Sequence, residues 1–202
     1  LQDKKVDAAK KHYETIIEQD SKHMGAMLAM ANIAAQANDR PNVISWLKRA
    51  GDANPKSLTP NLRLIQYYGR NREYQKAVAV ARGLSNSQPD NPRVLEALGR
   101  AQTSAGDPIA AVQTYKRLAS LNPKSAAVLG LVAGAQISAK DPDSARLTLK
   151  DAIALDEKYL PAKIALVELE SSEKNYDEAL TLAAEIKTVQ PDSHFGELLT
   201  GD

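Results

Sequence analysis

Four arginines, Arg63, Arg70, Arg93 and Arg100, gather near the middle of a chain that offers little other reactive chemistry. A guanidinium is a rigid fork of donors suited to carboxylate and phosphate recognition. Glu96 stands four residues before Arg100, so those two can instead pair along one helix; the residue types leave both readings open. Nothing supports catalysis. The three histidines, His12, His23 and His194, have no second histidine or carboxylate at metal-ligand spacing on the same element, and they read as surface or capping residues. Asp107 and Asp141 precede proline and read as helix caps. Asp141-Pro142-Asp143 lacks the glycine and distal glutamate of a calcium loop, and reads as two carboxylates at the positive end of a helix dipole. No serine has a base to activate it, and no glycine-rich loop cradles a phosphate. The chain has no cysteine, which excludes thiol catalysis, disulfides and Cys-bound zinc. The expectation is a non-enzyme with no metal and no cofactor.

What positions the arginines is a ruler. Pro55, Pro89, Pro123 and Pro191 are 34 or 68 residues apart, with Ser21 and Glu157 in the remaining slots. Ala9, Val43, Ala77, Ala111, Ala145 and Ala179 keep the same beat, as do Met30, Leu64, Leu98, Val132 and Leu166. A fixed period of this size marks a stack of small units, each burying its apolar face against the next.

Each unit reads as two helices. In residues 92–125, Asn91 caps a helix that starts at Pro92, where the missing N–H costs nothing. Val94, Leu95, Leu98, Ala101 and Ala105 follow helical spacing, and Gly106 ends the run. Asp107-Pro108 opens a second amphipathic helix through Leu121. Asn122-Pro123 closes the unit, because proline cannot continue a helix. Caps recur at Ser57, Ser125 and Ser193, and tight turns at Asn38-Asp39, Lys140-Asp141 and Lys174-Asn175. Helix pairs are therefore expected at 24–37/41–54, 58–71/74–87, 92–105/108–121, 126–139/142–155 and 160–173/176–189. Residues 3–19 read as a lone second helix, and 194–200 as the start of a further first helix. The array comprises a partial repeat 1–23, full repeats 24–57, 58–91, 92–125, 126–159 and 160–193, and a truncated repeat 194–202. With units cut at both ends, the chain reads as a piece of something longer.

Hydrophobic residues make up 43% and aromatics 4%, which suits close-packed helices meeting through small side chains. The net charge of +1 makes no case for nucleic acid. Its distribution is uneven: residues 1–150 hold 22 Lys+Arg against 13 Asp+Glu, and residues 151–202 hold 4 against 12. Such asymmetry could orient a partner along the array, or reflect solvated helix faces alone. The most apolar stretch, 126–139, is too short to span a bilayer, so Gly130-x3-Gly134 is not expected to act as a membrane pairing motif.

A 34-residue helix-turn-helix unit with this punctuation resembles the tetratricopeptide repeat. Of the family pattern, Leu98-Gly99 keeps the Leu-Gly dyad, Tyr68 the tyrosine three residues on, and Ala9-x3-Tyr13 and Ala111-x3-Tyr115 the Ala-x3-aromatic step. The resemblance implies an all-α, right-handed superhelical α-solenoid. A narrower resemblance, in the Ala-rich helices and the stretch Gln190 to Asp202, is to bacterial secreted lipoproteins with these repeats, of the exosortase (PEP-CTERM) exopolysaccharide type. That leans toward a periplasmic or outer-membrane-anchored setting rather than the cytoplasm.

In this family, ligands lie along a concave groove lined by first helices. Carried onto this chain, those columns nominate Asn32, Gln66, Arg70, Arg93, Glu96, Arg100, Gly130, Gly134 and Glu168, and the arginine cluster adds Arg63. Chaperone-binding members grip a terminal carboxylate with a Lys and an Asn at the columns held here by Leu28 and Asn32; the Asn is kept and the Lys is not. Gly130 and Gly134 leave a bare strip that serves either a partner's close approach or inter-repeat packing. The expected function is a non-catalytic scaffold that takes a protein or peptide segment in the groove. Two alternatives stay open: a groove for a polysaccharide or other extended polymer, for which Tyr67 and Tyr68 are the sole inner aromatic platforms, and an architectural spacer. Partner identity and oligomeric state are not legible in the residues.

Overall fold

The computed structural model describes residues 2–189, with side chains from 5 to 187; the expected cap Ser193, His194 and the helix at 194–200 lie outside the described residues. Eleven helices fill the described residues: α1 (Gln2–Gln19), α2 (Met24–Gln36), α3 (Arg40–Ala53), α4 (Thr59–Arg70), α5 (Tyr74–Ser87), α6 (Pro92–Ser104), α7 (Pro108–Leu121), α8 (Ala126–Ser138), α9 (Pro142–Leu155), α10 (Leu160–Ser172) and α11 (Tyr176–Val189). They fall into two compact units, Leu1–Ala97 and Leu98–Asp202, with the division inside α6.

In the first unit α1 to α4 pack each on the next, and α4 packs on α5. The second unit repeats that order from α7 to α11, and there the first helices α8 and α10 also touch each other. The periodic columns supply the contacts. Val43, Ala77, Ala111, Ala145 and Ala179 are all buried, as are Met30, Leu64, Leu98, Val132 and Leu166. Small residues of the first column let paired helices approach closely. Gly99 is the extreme case. A methyl group there would stand 2.5 Å from Tyr115 Cε1, so glycine makes room for the Tyr115 ring.

Turns within pairs share one geometry. Asn38, Arg72, Gly106, Lys140 and Lys174, each 34 residues from the next, adopt left-handed backbone with φ of 55°, 58°, 77°, 60° and 66°. The residue after each donates its N–H to a carbonyl five residues back, as in Asp39 to Ala34 at 2.8 Å and Asp141 to Gln136 at 3.0 Å. This is the Schellman closure, which satisfies the carbonyls left over at a helix end. It explains why all five first helices, α2, α4, α6, α8 and α10, stop one residue short of the expected bounds. Asp39, Asp107 and Asp141 then accept from Asn42, Ala110 and Ser144 N–H groups and open the second helix. Those bonds, with the Asn42 and Ser144 side chains first, hold the Asp39 and Asp141 carboxyls below their usual range. Ser125 caps α8 as expected. Ser57 does not cap α4: the cap position falls on Leu58, with no side-chain bond, and Ser57 Oγ lies 3.4 Å from the Thr59 N–H. His23 is a cap, its Nδ1 accepting from the Ala26 N–H at 3.0 Å, and His12 is exposed.

The column three residues past the Leu-Gly position is buried and turns polar along the chain: Ala34, Tyr68, Gln102, Gln136, Glu170. Gln102 accepts from the Thr114 hydroxyl at 2.7 Å. Gln136 has Thr148 at the matching offset, but that hydroxyl bonds Ser144 O instead and Gln136 Oε1 is left unpaired. Glu170, 2% exposed, takes a fork from Arg146 on the preceding helix, Nε to Oε1 at 2.6 Å and Nη2 to Oε2 at 3.3 Å, and a third bond from Asn175 Nδ2 at 2.7 Å. Arg146 hydrogen bonding, ahead of desolvation and Asn175, sets the balance that holds the Glu170 carboxyl below the usual glutamate range.

Two outcomes are expected. Glu170→Ala leaves Arg146 without its buried partner and should cost about 3 kcal/mol, the low end for breaking a buried pair, because Arg146 keeps 22% exposure. Because the folded pKa is depressed, this contribution is complete above the ordinary glutamate pKa and is lost as pH falls through the folded value. Urea unfolding of both proteins against pH should therefore converge in acid; a gap independent of pH would contradict the pairing. Gly99→Ala would gain roughly 1 kcal/mol of helix propensity in open space, yet overpacking against Tyr115 should cost about 1–3 kcal/mol. Calorimetry should show a lower Tm.

Candidate functional site

The first helices α2 and α4 belong to consecutive pairs, and α3 runs between them. Together they enclose a pocket of about 290 Å³ lined by Ala31, Asn32, Ala35, Val43, Leu47, Arg63, Gln66, Tyr67 and Arg70. Its floor is apolar, with Val43 and Leu47 both buried. Its rim is polar and comes from helical spacing: positions 63, 66, 67 and 70 recur at three, four and seven on α4, so they share one face. Arg63 and Arg70 therefore stand two turns apart, about 10 Å along the axis. Arg63 Nη1 donates to Asn32 Oδ1 across the two helices at 3.4 Å. Arg70 makes no hydrogen bond or ion pair among the described residues.

No carboxylate lines this pocket. In the same unit Glu73 bridges Arg40 and Lys76, the latter at 2.7 Å. Hydrogen bonding from Lys76, with help from Arg40, holds the Glu73 carboxyl below its usual range. The arginines on α4 face an apolar floor with no counter-charge.

A second pocket, about 340 Å³, opens between α1 and α2 and is lined by Lys5, Val6, Ala9, Tyr13, Ala29, Asn32, Ile33 and Gln36. Six of these, Ala9, Tyr13, Ala29, Asn32, Ile33 and Gln36, lie 34 residues before Val43, Leu47, Arg63, Gln66, Tyr67 and Arg70. The two cavities are thus one pocket type, displaced by one repeat. Asn32 lines both and joins them.

Of the ten residues nominated by sequence, this site brings together Asn32, Arg63, Gln66 and Arg70. Arg93 and Glu96 lie on α6 within the first unit, and Arg100 lies past the division on the same helix. Glu96 and Arg100 are both engaged in interactions already. Gly130, Gly134 and Glu168 belong to the second unit, on α8 and α10. A methyl on Gly130 would meet Tyr159 Oη at 3.3 Å, whereas Gly134 has open space; half of the bare strip is therefore occupied by packing. Sequence reasoning missed the α1–α2 pocket. Its signal was the 34-residue offset itself, applied to first-helix and second-helix columns together.

Among the described residues no three of His, Asp and Glu gather as metal ligands, and no helix is long and apolar enough to cross a membrane.

Models described as tetratricopeptide repeat match residues 62–126, 102–152 and 136–200. No curated protein sequence matches the chain. Among solved structures the chain is similar to the C-terminal part of a repeat-containing protein of Cytophaga hutchinsonii (TM-score 0.77, 16% identity, 98% of this chain and 82% of that one). It is also similar to a tetratricopeptide repeat protein of Parabacteroides merdae (TM-score 0.71, 19% identity, 88% and 73%). A third is YrrB, described as having an unusual peptide-binding site (TM-score 0.67, 15% identity, 94% and 98%). At these identities the likeness is one of fold.

Because Arg63 and Arg70 are exposed and hold no structural ion pair, Arg63→Gln with Arg70→Gln should leave stability within about 0.5 kcal/mol. Thermal melting followed by circular dichroism checks this. A large drop in Tm would mean that the arginines serve the fold rather than a ligand.

Proposed function

The chain belongs to the tetratricopeptide repeat family, and on that premise we propose that it is a non-catalytic interaction module holding a segment of a partner protein against the first helices of its first unit. One observation carries this reading: Asn32, Arg63, Gln66 and Arg70 converge over an apolar floor without a carboxylate among them. Surface arginines that hold no ion pair contribute little to stability, so their gathering is best accounted for by a ligand. A partly enclosed pocket strengthens charge-assisted hydrogen bonds relative to open water. Arg93, Glu96, Arg100, Gly130, Gly134 and Glu168, on the first helices α6, α8 and α10, are proposed as further contacts.

The setting we propose is a bacterial assembly of the exopolysaccharide-secretion type, on the resemblance of the Ala-rich helices alone. A groove for the polymer itself is the alternative, and the half-buried state of Tyr67 weighs against it, because sugar stacking needs an open aromatic face.

The test compares two double variants against a partner isolated by affinity capture on the wild-type chain. Arg63→Glu with Arg70→Glu should abolish binding by titration calorimetry with the helical signal intact. Lys116→Glu with Lys150→Glu, on the exposed faces of the second helices α7 and α9, should leave affinity within a factor of two or so. Loss in the second variant with retention in the first would place the partner on the second helices α7 and α9 instead.

A further inference from the structure

Resting on the reading above, we infer that the first unit selects a bipartite acidic-and-apolar segment. The two pockets draw their floors from the same two columns and carry different rims, and the rim triplet sets which side chain each pocket takes. The floor columns supply Val43 and Leu47 in one pocket and Ala9 and Tyr13, 34 residues earlier, in the other. The rim is not. On α4 the triplet is Arg63, Gln66 and Arg70; on α2 the same positions are Ala29, Asn32 and Gln36. Two guanidiniums over an apolar floor suit a carboxylate whose stem or neighbour is apolar. The α2 triplet has no charge, and the only charged residue described in its pocket is Lys5 of α1; Val6, Ala9, Ala29 and Ile33 there suit an apolar side chain, with the Asn32 and Gln36 amide N–H groups able to bond the segment's backbone.

Charge complementarity fixes the sign. Among the described residues three cations, Lys5, Arg63 and Arg70, line the two joined pockets, and no carboxylate does. Arg63 spends one donor on Asn32, which leaves most of its fork for a ligand. Because Asn32 lines both cavities, one continuous segment reaches both, with its acidic residue over α4 and its apolar residue over α2. The carboxylate can be an Asp or Glu side chain or a chain terminus, since both present the same pair of oxygens.

The experiment is selection of a phage-displayed random twelve-residue peptide library on the immobilised full chain. It is repeated on Arg63→Gln/Arg70→Gln and on Ala29→Arg/Gln36→Arg, which copies the α4 rim onto α2. All three proteins are first checked for equal melting. Wild type should enrich peptides with an acidic residue at fixed spacing from an apolar one. Synthetic forms of the winners should bind the glutamine variant at least about tenfold more weakly, the scale of one lost charge-assisted bond. The copied rim should convert the apolar position of the consensus to a second acidic one. Amide-capped and free-acid versions of each peptide then separate the two sources: binding by both assigns a side-chain carboxylate, and binding by the free acid alone assigns a terminus. Enriched peptides that lose binding in the glutamine variant but carry no acidic residue would overturn this inference and leave the site standing. Peptides that bind every variant equally, an absence of enrichment, or capture of oligouronate in their place would overturn the site as well.

Discussion

The closest approach of two helices within a pair governs everything else in this protein. Where second helices cross their neighbours, the chain places Val43, Ala77, Ala111, Ala145 and Ala179, all buried. A larger side chain at any of them would push the axes apart, and a packed interior has no slack to absorb the shift. Gly99 shows how fine the fit becomes, with the Tyr115 ring in the space of a missing methyl. Constant separation keeps the pairs equivalent, and equivalence allows a 34-residue step to carry one pocket onto the next. The rim residues depend on that spacing, although none of them takes part in it.

Burial and recognition are therefore divided among columns. Interior columns are nearly invariant in size, while rim columns vary freely in charge: positions 32, 66, 100, 134 and 168 read Asn, Gln, Arg, Gly, Glu. A change at the rim leaves the helical scaffold intact, as expected for exposed positions. The buried polar column is intermediate. It runs from Ala34 to the bonded Gln102, the unpaired Gln136 and the ion-paired Glu170, so each repeat junction differs in polarity while its geometry is conserved.

The repeat unit, the helix pairs and most turns were legible because they rest on residue type and spacing alone. Proline and small residues announce the register without knowledge of any contact. The turn at Arg72-Glu73 was not legible, since glutamate is a poor cap and arginine gives no hint of left-handed backbone; its geometry is imposed by the same Schellman bonding as its neighbours. Asn32, Gln66 and Arg70 were legible as first-helix columns. The α1–α2 pocket, the Tyr159 side chain over Gly130 and the Arg146–Glu170 fork were not. Each depends on how far a side chain reaches between helices from different pairs, which periodicity does not encode.

The left-handed turns have a consequence for how this chain can change over time. Only Gly106 occupies its position at ease; Arg72, Lys140 and Lys174 hold a backbone that disfavours their side chains, at a cost of about 1 kcal/mol each, and Asn38 somewhat less. All four side chains are exposed. A single substitution to glycine at any of them relieves strain far from the α2–α4 rim. The array thus carries several independent reserves of stability outside its recognition surface. A lineage could accept a destabilising change beside Arg63 or Arg70, restore the loss at a turn, and so explore new partners while the stack stays folded.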